Sequence, residues 1–337
     1  MKSHKGAWIA AAAALLLAIV AGAIAALCSG TADPAGPSTG NPSVDSSLSG
    51  EEREADWGKT ILVDGTVYRL NSSLRTILFL GVDDGESVAS GIAPGEGRRA
   101  DTIVLLLLDD AAKETTLLSI SRDTIVDVDA YNQNGDYAYS APSHINMQYY
   151  FGDSPSRSCY LMKRTVSRLL YGIQIDGCFS LTAEGIVTVV DQLGGISVTM
   201  PEDYTDVDPR YEAGAQLTLD GREADRLFRY RDTRVVGSNE ARAERQIRLM
   251  TSLFQELQSA TSLSRLESLL EAAGEDVCSD LDAETLKKLL TYRMNPASRT
   301  LPGTVVSGDD GHDEFHVDEA ALRKLLIELF YQPVEDE

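Results

Sequence analysis

Apolar positions along the chain fall into three patterns, and each predicts a different kind of element. From Ala7 to Leu27 every residue is apolar and no charge stands between Lys5 and Asp33, so residues 7–28 as a helix can cross a hydrocarbon core of roughly 30 Å. Residues 29–58 carry almost no apolar side chains and are rich in Gly, Ser and Pro, which predicts a disordered linker reaching roughly 30 Å. Beyond them, short apolar runs alternate with amphipathic stretches. The segment ILVDGTVYRL alternates around Asp64-Gly65 and predicts a hairpin, while TILFLGV (76–82), TIVLLLLD (102–109) and ETTLLSIS (114–121) are nearly continuous, as strands covered on both faces are.

Helical spacing follows. Tyr160, Leu161, Val166, Leu169 and Leu170 share one face, and Ile186, Val187, Val190 and Leu193 another that stops at Gly194-Gly195. A strand is expected at 196–202 and helices at 222–230, 239–259, 264–272, 282–292 and Asp318 to Phe330, with TLPGTVVSG and EFHV as strands before the last. Strands alternating with helices predict a layered α-β-α sandwich, an α/β fold with a central mixed sheet flanked by helices. Residues 59–260 form its main body, and residues 261–337 are an extension packed on the same domain.

Charge and the N-terminus change the picture in two ways. The net charge of −22 excludes a general nucleic-acid binder, so any phosphate binding must come from a local basic cluster. Lys2 and Lys5, in a tail of residues 1–6, favour a cytoplasmic N-terminus with the rest of the chain outside, anchored in the cell membrane by a single pass. A cleaved signal peptide competes, although its apolar core is usually shorter; a lipid attached at Cys28 is disfavoured by Leu27 before it. Outside the anchor lie Cys159, Cys178 and Cys278; a Cys159–Cys178 bridge and buried apolar thiols are both open readings.

Arginine placement carries the candidate chemistry. Arg98 and Arg99 precede Asp101, Arg122 follows a strand, Arg229, Arg231 and Arg234 crowd one segment, and Arg242, Arg245 and Gln246 share a helix face behind Asn239, a candidate N-cap. Arg grips phosphate oxygens through a planar, permanently charged fork. The competing reading pairs Arg242 and Arg245 with Glu240 and Glu244 on a solvated surface. Asp83 and Asp84 end one strand and Asp101 begins the next; if the strands are neighbours, these carboxylates share one end of the sheet, where Mg²⁺ beside a pyrophosphate would need them. Asp at a strand end is also a common turn former. No GxSxG, GxxxxGKS/T or HExxH motif is present, which leaves positioning and charge neutralisation on a phosphoryl group.

The series LFLGVDD (78–84), RADT (99–102), LLSISRDT (117–124), HINMQYYFG (144–152), VDQLGGI (190–196), LDGREADRLFRYRDTR (219–234) and NEARAERQ (239–246) resembles the LytR-CpsA-Psr family in order and spacing. The resemblance implies a phosphotransferase that moves a glycopolymer, such as teichoic acid or capsule, from a polyprenyl-pyrophosphate carrier to peptidoglycan, assisted by Mg²⁺ or Mn²⁺. It also implies a hydrophobic pocket for the polyprenyl chain. By similarity Asp83 and Asp101 match metal positions, and Arg99, Arg122, Arg229, Arg231, Arg242 and Gln246 match head-group positions; Asp83, Asp101 and Arg99 are the catalytic candidates. Asn239 departs from the family pattern, standing where an Asp is usual. The competing functions are a polyprenyl-pyrophosphate phosphatase and a non-catalytic membrane-tethered regulator that binds lipid-linked precursors.

Overall fold

A computed structural model of the protein describes residues 57–83, 97–200, 202–230, 272–281, 292–295, 299–308 and 312–334, with isolated positions at 249, 256, 269 and 285. The expected membrane span and linker lie outside these residues, and among the described residues no helix is long and apolar enough to cross a membrane. Strands β1 (Thr60–Val63) and β2 (Thr66–Leu70) form the expected hairpin, turning through Asp64 and Gly65 at φ 49° and 78°. Two successive positive φ values are what the right-handed twist of a two-residue hairpin requires.

The central sheet is built from the continuous apolar runs. Strands β3 (Leu74–Val82), β4 (Ala100–Asp109) and β5 (Glu114–Ile120) run as an antiparallel meander. A hairpin of β6 (Ile125–Tyr131) and β7 (Tyr137–His144) follows, then helices α1 (Met147–Tyr150) and α2 (Pro155–Leu169). Strand β8 (Gly177–Thr182) returns to the sheet parallel to β3. Helix α3 (Ala183–Leu193) starts from the Thr182 hydroxyl cap and ends at Gly194, which takes the left-handed φ of 87° that glycine accepts without strain.

Strands β9 (Ile196–Thr199) and β10 (Gln216–Leu219) form a separate ribbon, so the strand expected at 196–202 is shorter and outside the main sheet. Helix α4 (Gly221–Arg229) opens with a reciprocal capping box between Asp220 and Glu223. Strand β11 (Val277–Ser279) extends the sheet beside β8; β12 (Arg293–Met294) and β13 (Arg299–Thr300) run parallel to β5 at the other edge. The chain closes with hairpin β14 (Gly303–Ser307) and β15 (Asp313–Val317), helix α5 (Glu319–Phe330), and β16 (Tyr331–Pro333) paired to β2.

Burial on both faces explains the unbroken apolar runs. Ile77 and Phe79 of β3 pack toward Ile186 and Val190 of α3 and Leu227 of α4, while Leu78 and Leu80 pack toward Met162 and Val166 of α2 and Leu322 and Leu326 of α5. Successive side chains of one strand thus enter opposite cores, giving a mixed sheet with helices on both faces. Cys159, Cys178 and Cys278 are free thiols, the first two buried, so the bridge considered between Cys159 and Cys178 is not formed. Among the described residues the helices expected at 239–259, 264–272 and 282–292 are represented only by isolated positions.

Candidate active site

The site begins with an irregularity in the β3–β4 pairing. Gly81 faces Thr102 but Val82 faces Ala100, so Asp101 is one extra residue on β4. A bulge of this kind breaks the alternation of the strand and re-aims its side chains. Regular alternation would send Asp101 and Thr102 to opposite faces of the sheet; here both line one cavity of about 230 Å³. Gly81 forms its floor, and a Cβ there would stand 2.9 Å from the Thr102 Cβ, so only glycine fits without displacement.

Asp83 ends β3 in the same cavity. Its backbone N–H donates to the Arg99 carbonyl at 3.0 Å, and its Oδ1 accepts the Arg99 N–H at 2.9 Å, which continues the pairing one residue past the strand. Arg99 therefore shapes the acid through its backbone, while its side chain is exposed. Arg122 reaches the other acid: Nη1 donates to Asp101 Oδ2 at 2.7 Å, and Nε lies 3.4 Å from Asp123 Oδ1. Asn146 braces this corner, its N–H on the Arg122 carbonyl and its own carbonyl accepting the Ala100 N–H.

The opposite wall comes from the helices. Ala183 and Ile186 stand at the start of α3, and Phe228 and Arg229 at the end of α4. Helix α4 stops at Arg229 because Tyr230 turns to an extended ψ of 134°. Gly221 lets α4 lie directly on α3; a Cβ there would meet the Val187 carbonyl oxygen at 2.3 Å. Arg229 Nε donates to Asp225 Oδ1 at 2.7 Å, one helical turn back. Burial, opposed by Arg222 and reinforced by Glu184, lifts the Asp225 carboxyl above the usual carboxylate range.

Of the sequence-predicted residues, Asp83, Asp101 and Arg229 line one cavity, Arg122 joins it through Asp101, and Arg99 borders it. Arg98 lines a neighbouring cavity of about 70 Å³ instead, together with Thr182, Ser154 and Asp276. Asp84, Arg231, Arg234, Asn239, Arg242, Arg245 and Gln246 lie outside the described residues. The residues not anticipated are the walls: Gly81, Thr102, Ala183, Ile186 and Phe228. Gly81 carried a signal, since a glycine within a buried strand marks a bulge or a close approach.

The donor set fits a small hard cation. Asp83 lends Oδ1 to an N–H and Asp101 lends Oδ2 to Arg122, and both residues line the cavity. Among the described residues no group of three or more His, Cys, Asp or Glu could hold a metal, so the protein offers a carboxylate pair. Mg²⁺ is commonly held by one or two carboxylates with phosphate oxygens and water completing its shell.

With this geometry established, comparison with known proteins gives a consistent answer. Residues 45–329 match the LytR_cpsA_psr family. The chain belongs to the LytR-CpsA-Psr family. Among similar relatives, the polyisoprenyl-teichoic acid–peptidoglycan teichoic acid transferase TagU of Enterococcus faecalis is 28% identical over 265 residues, covering 77% of this chain and 80% of that one. The crystal structure of Bacillus subtilis TagV superposes with a TM-score of 0.57 at 25% identity, over 77% of this chain and 97% of that one. A structure of TagT bound to LI-WTA gives a TM-score of 0.56 at 20% identity, over 77% and 90%, and shares the fold. The chain is thus an enzyme of the LytR-CpsA-Psr family, and the match extends past its seven motifs into the C-terminal strands and α5.

Proposed function

We propose that this protein transfers a glycopolymer, teichoic acid, capsule or a related chain, from a polyprenyl-pyrophosphate carrier to a peptidoglycan hydroxyl. The observation that carries the reading is the bulge at Asp101, which gathers two carboxylates and, through Arg122 and Arg229, two guanidinium groups at one end of the sheet. A site so built suits a phosphoryl group, whose transfer depends on positioning and charge neutralisation rather than on a protein nucleophile.

In the proposed reaction the acceptor hydroxyl oxygen forms a bond to the sugar-linked phosphorus, and the bond from that phosphorus to the bridging oxygen breaks. Polyprenyl phosphate leaves, and the polymer becomes joined to peptidoglycan through a phosphodiester. Asp101 or Asp83 accepts the hydroxyl proton. Arg122 and Arg229 hold the pyrophosphate oxygens, and Arg99, Arg231, Arg242 and Gln246 are assigned to the same head group by family similarity. Asp83 and Asp101 would hold Mg²⁺ or Mn²⁺, which supplies charge neutralisation on the phosphate oxygens. Val82, Ala183, Ile186 and Phe228 give the cavity an apolar side suited to the first prenyl units.

The carrier lies in a membrane, so the reading places the apolar residues 7–28 across it and the domain on the outer side. The deciding experiment supplies lipid-linked donor and peptidoglycan together and analyses products. Polymer covalently attached to peptidoglycan is the expected outcome. Release of phosphate without attachment would instead identify a pyrophosphatase, and binding without turnover a regulator.

A further inference from the structure

A ridge of aromatic and basic side chains lies outside the cavity just described. Arg157 sits between two tyrosine rings, its guanidinium carbon 5.2 Å from the Tyr131 centroid and 5.0 Å from that of Tyr160. Tyr131 meets Tyr137 edge to face at 6.1 Å beside a bulge at Ala138, past which Tyr139 pairs with Ala130 and turns to the other face of the hairpin. Tyr137 is 60% exposed and Tyr160 45%, an unusual exposure for large aromatic rings grouped together. Arg164 continues the row, 5.8 Å from the Tyr160 centroid.

Charge gives this ridge a direction. In a chain of net charge −22, Arg157 has no carboxylate partner among the described residues. It stands in the first turn of α2, which holds no acidic residue, so its charge adds to the positive end of the helix instead of being offset. The acids on the adjoining turns, Asp136 and Asp153, accept from the Asn132 amide and the Ser154 hydroxyl, neutral donors that leave their charge in place. Arg164 is 4.0 Å from Asp129, which Arg168 already binds at 2.8 Å.

Position supplies the rest. The start of α2, at Asp153, Ser154 and Pro155, forms one wall of the smaller cavity whose other wall is Gly97 and Arg98. Arg98 precedes Arg99, whose N–H holds Asp83, and Thr182 of that cavity precedes Ala183 of the site. The start of α2 and the carboxylate site are thus linked through the chain at Arg98-Arg99 and Thr182-Ala183, with α2 on one face of the sheet and α3 and α4 on the other.

We propose that Tyr131, Tyr137, Arg157 and Tyr160 form a subsite for the sugar-phosphate chain of the donor, beyond its pyrophosphate end. Tyrosine faces stack on sugar rings and the uncompensated guanidinium takes a phosphate between them, a combination that a neutral glycan would leave unused. The inference rests on the transfer reading and names the part of the substrate that this edge holds.

The test uses the full chain in detergent micelles and soluble poly(N-acetylglucosamine 1-phosphate) oligomers, whose repeat holds a sugar ring and a phosphate, with chitotetraose as the neutral probe, by titration calorimetry. Arg157→Ala and Tyr160→Ala should each weaken oligomer binding about tenfold, Tyr160→Phe should keep it, and Arg157→Lys should recover part. In turnover, Arg157→Ala should raise KM for a donor carrying a long polymer and leave kcat, and a donor with a single repeat, unchanged. Equal oligomer binding by all variants would overturn the proposal, as would binding of chitotetraose in preference to the anionic oligomer. A wild-type chain that binds the oligomer through these residues yet transfers nothing would uphold the subsite and defeat the transfer reading.

Discussion

Arg122 and Asp101 neutralise one another across 2.7 Å, although one is assigned to the substrate's phosphates and the other to the cation. In the free protein each group occupies a position that a ligand must claim. On the proposed assignments the pair would link donor binding to cation binding.

Removing the guanidinium should separate the two. Arg122→Ala is expected to weaken lipid-pyrophosphate binding about ten- to a hundredfold, the worth of one charge-assisted bond to phosphate. Mn²⁺ binding measured without donor should tighten, because a positive charge beside Asp101 has gone. Loss of both affinities together would show that Arg122 serves only to hold the fold.

The carboxylates themselves should be indispensable. Asp83→Asn with Asp101→Asn is expected to abolish transfer while leaving the melting temperature within a few degrees of wild type, and excess chelator should do the same to the unmodified protein. Full activity in chelator would remove the cation from the reaction.

Arg229 and Arg222 lie on the same short helix and make a paired comparison. Arg229 ends α4 at the cavity, whereas Arg222 forms a surface ion pair with Glu184 at 2.8 Å. Arg229→Ala should weaken donor binding about tenfold or more. Arg222→Ala should change it less than about twofold, since exposed ion pairs contribute roughly 0–1 kcal/mol even to stability. Equal effects would return Arg229 to the solvated surface.

Stability should carry an acid limb from Asp109 at the β4–β5 turn. Burial there opposes the charge, but the N–H groups of Ala112 and Ala111 and the Ser73 hydroxyl prevail, so the carboxyl stays below its ordinary value. A depressed folded-state pKa contributes stability above the unfolded value near 3.9, and that contribution is lost as pH falls through the folded value. Asp109→Asn should therefore destabilise the protein by about 1 kcal/mol at pH 7 and by less at pH 3, measured by urea unfolding.

Much of this was legible from residue order. Asp83 and Asp101 were readable as strand-end acids, and the helix expected at 222–230 ends one residue earlier, at Arg229. The bulge was marked only by Gly81, because a one-residue slip leaves the apolar runs of both strands intact. The Arg122–Asp101 pair was not legible, since its members are 21 residues apart in sequence and meet only through the β4–β5 pairing. Strand β8 escaped notice because GCFSLT is too short and too polar to signal burial, yet every one of its residues is buried. The β6–β7 hairpin was missed because its outer strand keeps its tyrosines exposed instead of showing a core face.

The two carboxylates are placed by the register of neighbouring strands, with Val82 opposite Ala100 and Asp83 tied to Arg99. A change that slips this pairing by one residue would part the acids even where both are kept. The backbone ladder is thus as much a determinant of the carboxylate pair as the two side chains are.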